Sequence, residues 1–168
     1  MKRALAVLLP LALCATSVFA WTESATVARW ASIVGVITAP AVDNPIAGIH
    51  AGAGPWSVRS GHARVNLSNG NTSFDVDGLV LNGGNSSGTP GPVTAVTGTL
   101  VCNAGTTTPS ILDTTSVRLS TQGDAHFSGE ISGVPATCDS PLFLIRIAAP
   151  AGAAGRWIAT AGERHIGD

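Results

Sequence analysis

At 168 residues and 16.8 kDa, the chain has the length of a single domain. Only 11% of its residues are charged and 45% are hydrophobic, which excludes charge-rich disorder. Its only lysine is Lys2, it has no tyrosine and its formal net charge is −1, so little amine, phenol or polycation chemistry is open to it.

Lys2 and Arg3 form a positive n-region, residues 4–13 an apolar run broken by Pro10, and Val18-Phe19-Ala20 a small-residue cleavage site. Residues 1–20 are therefore expected to be a signal peptide cut near Ala20. The mature chain, 21–168, would then be secreted to an extracellular or periplasmic space. An uncleaved anchor is the competing reading, but the run is short against the roughly 20 residues that a spanning helix needs. Leu13 before Cys14 is too large for lipoprotein processing. Removing 20 residues leaves 148, with seven basic residues, all arginine, against ten acids, for a formal charge of −3. Such a surface repels phosphate backbones, so no nucleic-acid partner is expected. No membrane span is expected in the mature chain either, because its best apolar run, 30–42, is only 13 residues long.

The first mature element, Thr26 to Thr38, is open to two readings. Val27, Trp30, Val34 and Ile37 fit helical spacing, while Ile33, Gly35 and Ile37 fit a strand. The β-branched run Ile33-Val34-Val36-Ile37 favours the strand. Next, 57–67 and 72–81 read as a hairpin. Ala63, Val65 and Leu67 alternate with polar residues, Gly61 marks an expected bulge, and Asn69-Gly70 turns the chain. Residues 82–92 form a Gly/Ser/Asn loop with two prolines. Residues 93–102 are a strand with Val96, Leu100 and Cys102 inward, and 106–109 is a further loop. Val117 and Leu119 begin a short strand, Gln122-Gly123-Asp124 turns it, and Ala125, Phe127 and Ile131 continue the inward face opposite His126. Residues 142–147 are apolar on both faces until Arg146, as in a covered central strand, and 156–160 closes the set.

About eight short strands without helix–strand alternation predict an all-β fold, an antiparallel β-sandwich of immunoglobulin-like architecture. It forms one domain over 21–168, in which the pattern leaves the pairing of 21–54 open. Phe74, Phe127, Phe143 and Trp157 are its expected large core members.

Cys102 and Cys138 remain after cleavage, and an even count in an exported chain reads first as one disulfide. A metal or redox thiol pair is the alternative, but the C-x-x-C spacing is absent. Without a mature lysine there is no Schiff base or P-loop, and neither a G-x-S-x-G elbow nor an H-E-x-x-H helix occurs. Asp75 and Asp77 share a strand face about 7 Å apart. That spacing suits a glycosidase pair, a calcium site with Asn82 and Asn85, or simply a solvated face, and the solvated face is the commonest outcome. His50, His62, His126 and His165 lack metal-ligand spacing, so no metal or cofactor is expected. An exposed tryptophan can stack on a sugar, and Trp56, after Gly54-Pro55, is the candidate. The competing reading for Trp56 is a cap on the core.

Several strings can be taken together: Gly91-Pro92-Val93-Thr94, Leu100-Val101-Cys102, Gly123-Asp124-Ala125, Cys138, Phe143-Leu144-Ile145-Arg146 and Gly155-Arg156-Trp157-Ile158-Ala159. They resemble an uncharacterised family of small exported bacterial β-rich proteins, over about 55–162. The alanine- and arginine-rich composition also suggests a bacterial origin. The resemblance includes both cysteines, which supports the bridge, and implies no activity. The function expected is thus an exported, non-enzymatic surface or structural protein that meets an unknown protein or glycan partner. A carbohydrate- or ligand-binding module using Trp56 is the alternative, and a hydrolase using Asp75 and Asp77 the third reading.

Overall fold

The computed structural model describes residues 26–39, 42–148 and 154–167, so the expected signal peptide and Trp21 lie outside the described residues. Eleven strands and no helix occur among them: β1 (Val27–Gly35), β2 (Trp56–Ser57), β3 (Ser60–Asn66), β4 (Asn71–Asp77), β5 (Val80–Leu81) and β6 (Ala95–Cys102), then β7 (Ser110–Asp113), β8 (Val117–Arg118), β9 (Ala125–Glu130), β10 (Leu142–Ala148) and β11 (Ala154–Gly167). Nine belong to one antiparallel sheet in the order β7-β6-β10-β11-β1-β3-β4-β9, with β8 also on β6, and β2 pairs β5 separately.

The expected all-β, antiparallel class is seen, but the pairing is not that of two stacked sheets. Instead of the immunoglobulin-like sandwich, one continuous path curls over itself. The reason lies in β11, whose 14 residues pair with β10 and, over most of their length, with β1, joining what would otherwise be two sheets. Aromatic contacts show the curl. Phe74 on β4 and Phe143 on β10 are four strand places apart, about 19 Å in a flat sheet, yet their ring centroids are 5.7 Å apart. Phe143 also meets Trp30 at 5.6 Å, and Phe74 stacks on Phe127 at 5.6 Å. Gly98 of β6 permits this closure, because a Cβ there would lie 2.7 Å from Phe143 Cζ and 2.8 Å from Phe74 Cε1. Phe74, Phe127, Phe143 and Trp157 are all buried, as expected of the large core members.

Local elements follow the sequence with some corrections. Within 26–38, Val27–Gly35 form a strand, β1, but the buried hydrophobics of the segment are Val27, Ala28, Trp30, Ile33 and Val36, leaving Ile37 84% exposed. A run apolar on both faces does not say which face turns in. The β3–β4 register runs unshifted from Ser60↔Asp77 to Val65↔Thr72, so Gly61 is no bulge. Its missing Cβ admits Ile33 Cβ, which would lie 3.0 Å away. After an interruption the same register resumes as Ser57↔Val80 and Trp56↔Leu81, so β2–β5 prolongs the expected hairpin. Of the turn pair Asn69-Gly70, only Gly70 takes a positive φ, +77°. The strand β7 has no counterpart among the sequence expectations, and β6 is buried on both faces.

The stretch 42–52 is docked on β11. Trp157 N–H donates to the His50 carbonyl (3.0 Å), Gly52 N–H to the Trp157 carbonyl (2.8 Å), and Trp157 Nε1 to the Asn44 carbonyl (2.9 Å). Cys102 and Cys138 are disulfide-bonded with Cα atoms 4.7 Å apart. No helix among the described residues is long and apolar enough to cross a membrane.

Candidate functional site

On β4, Phe74 and Val76 turn into the core, which forces Asp75 and Asp77 onto the opposite face. Pairing then decides their neighbours. His62 on β3 lies opposite Asp75, and so does His126 on β9. The carboxylate takes both: Oδ1 is 2.6 Å from His126 Nδ1 and Oδ2 is 3.2 Å from His62 Nε2. One register step along, Asp77 Oδ2 accepts a hydrogen bond of 2.9 Å from Ser60 Oγ. At the strand end, Asp124 Oδ1 accepts from Gly78 N–H at 2.9 Å and stands 3.6 Å from Arg59 Nη2. The outer face of β3, β4 and β9 thus carries a His–Asp–His row beside a Ser–Asp row.

The structure brings Asp75 and Asp77 together in one surface depression of about 690 Å³ that also takes in Val34, Val58, Ser60 and His62. Trp56 is not part of it. That residue is 4% exposed and its backbone N–H donates to the Val36 carbonyl at 2.8 Å, so it is a core member with no open indole face. Trp30 and Trp157 are equally enclosed, at 2% and 6%. The stacking platform expected at Trp56 is corrected accordingly: apolar burial of the indole outweighs its display. Asn82 and Asn85 lie in an exposed loop beyond β5. Among the described residues, no three His, Cys, Asp or Glu side chains are grouped closely enough to hold a metal ion.

A second His–Asp contact was not foreseen. Asp43 meets His50 Nδ1 and accepts the Ala51 N–H at 3.0 Å. The hydrogen bond from His50, then that from Ala51, hold the Asp43 carboxyl below the usual 3.8. The His62–Asp75 pair could have been found from the hairpin, because a β-turn sets register. His126 could not, since nothing local says that β9 lies beside β4.

Ser60 donates its hydroxyl to the carboxylate of Asp77, and this pair stands in the open rather than in a cleft. The carboxylate pair stands on an open strand face, and Asp77 is exposed. Comparison with protein-family models, curated proteins and solved structures found no match to the chain.

Proposed function

We propose that this is an exported, non-enzymatic β protein that acts by binding at a cell surface or in an extracellular matrix, through the outward face of β3, β4 and β9. The observation that carries this reading is that both carboxylates on that face are held by neighbouring side chains on an open surface. Asp75 is held between His62 and His126, and Asp77 is held by Ser60. Stabilising a developing charge requires donors in a water-excluded site, and an exposed sheet surface has no walls to exclude water. Ordered polar rows on a rigid sheet suit docking, where many modest hydrogen bonds act together. The Cys102–Cys138 bridge supports export, because such bonds persist in oxidising compartments.

The test is turnover. Disulfide-intact protein, presented with glycosidase, esterase and peptidase substrates, should show no rate above buffer. The Asp75→Asn and Asp77→Asn variants should be indistinguishable from it. Turnover that disappears in Asp75→Asn while the melting temperature is kept would establish the hydrolase reading instead.

A further inference from the structure

Seven arginines follow the expected cleavage site. Four of them are engaged: Arg59 with Asp124, Arg146 with Asp113 and the carbonyls of Ala154 and Gly155, Arg156 with the Ala51 carbonyl, and Arg164 with the Pro141 carbonyl. Among the described residues, Arg29, Arg64 and Arg118 have no carboxylate within ion-pair distance. Arg118 stands apart on β8. The other two are cross-strand partners, Arg29 on β1 opposite Arg64 on β3, and His165 on β11 is opposite Arg29.

Directly opposed residues project from the same face with Cβ atoms about 5 Å apart, so two arginines there repel. Among the described residues, neither guanidinium has an ion pair to offset that cost. The same cross-strand row continues through Ser73 on β4 to Ser128 on β9. At about 4.8 Å per strand, its basic half is roughly 10 Å long. Beyond Arg64 it opens into a depression of about 590 Å³ lined by Asn66, Asn71, Ser73, Ser128 and Glu130. Two unpaired guanidinium groups followed by amides and hydroxyls form a site for a ligand that is both anionic and polyhydroxylated.

We infer that the row Arg29–Arg64–Ser73–Ser128, with His165 at its head, binds an extended acidic polysaccharide. This inference rests on the binding role proposed above and names its ligand class. Uronate carboxylates or sulfate esters take charge-assisted, bidentate hydrogen bonds from Arg29 and Arg64. Sugar hydroxyls meet Asn66, Asn71, Ser73 and Ser128. The carboxylate in the adjoining row, Asp75, is already held by His62 and His126, and Glu130, which lines the same depression as Arg64, lies one register step off the row, opposite Asn71. Nucleic acid is the poorer fit, because a single basic row on a chain whose mature part is net acidic lacks the broad positive surface that a duplex needs.

The experiment uses disulfide-intact protein on immobilised polygalacturonate and heparin, with neutral dextran and double-stranded DNA as comparisons. Retention is expected on one or both acidic glycans at low salt, with release as salt rises. Dextran and DNA should not retain the protein. Arg29→Gln and Arg64→Gln should each weaken binding about tenfold or more, while Arg118→Gln binds like the parent. Without ligand, Arg64→Gln should melt at or above the parent temperature, since it relieves the repulsion. Passage of the parent through both glycan columns, equal retention on DNA, or unchanged binding by the Arg29→Gln/Arg64→Gln double variant would each overturn the assignment. Those results leave the turnover test untouched, so loss of the ligand class and loss of the binding role are separable.

Discussion

Among individual side chains, the His–Asp contacts show how a folded sheet commits its own charges. His50, His62 and His126 are mostly open to water and Asp43 and Asp75 partly so, and ion pairs there contribute little to stability. They orient groups more than they hold the fold. For Asp43 the sign of the pH effect follows from its lowered pKa. A depressed carboxyl stabilises the native state above its unfolded pKa, and the contribution is lost as pH falls through the lower folded value. NMR titration of the Asp43 carboxyl should therefore give a midpoint below 3.8 in the parent. In His50→Ala the midpoint should move back up, and an unchanged midpoint would remove His50 as the cause. The Asp43–His50 contact is not legible in the sequence, because a histidine seven residues from an aspartate in a proline-containing segment carries no periodic signal.

Elements show a sharper division. The β3–β4 hairpin was legible because alternation and a turn dipeptide lie within one short stretch, and pairing along it is set locally. Gly70 is its critical point. It takes φ +77°, and a Cβ would sit 2.1 Å from the Ile131 carbonyl oxygen, at the turn where β9 ends beside the hairpin. Gly70→Ala should thus destabilise by more than about 1 kcal/mol, adding backbone strain to a clash with main chain. Chemical denaturation would show this as a lower midpoint with an unchanged slope. In β1 the element type was legible but the face was not, because apolar residues occur on both sides of Ile33. The strand β7 has only Ile111 and Leu112 between polar ends, too short a run to show a period.

For the molecule as a whole, two long-range devices hold the curled sheet. One is β11, which spans β10 and β1. The other is the Cys102–Cys138 bridge, closing a sequence separation of 36 residues. The chain-entropy relation values a loop of that size at about 4 kcal/mol, chiefly through the unfolded state. A Cys102→Ser/Cys138→Ser variant should lose about 2–4 kcal/mol in urea unfolding while keeping its β circular dichroism. Two free thiols in the native parent would contradict the bridge. The bridge partners were readable by count alone, since only two cysteines follow the expected cleavage site.

The sequence by itself determined the properties that depend on local pattern and composition: an all-β antiparallel class, the central hairpin, the aromatic core residues and the cysteine pair. It also bounded the chemistry by what it lacks. Beyond that hairpin, only the tertiary structure decided which strands are neighbours, and the rest of the outer face depends on that choice. His126 reaches Asp75 because β9 joins β4, and Arg29 meets Arg64 because β1 joins β3. Trp56, free to be displayed in an isolated strand, is buried once the segment carrying it packs on the curled sheet. The physical reason is the same in each case. Alternation assigns a residue to one of two faces, but what lies beside it on that face is set by pairing between segments far apart in the chain.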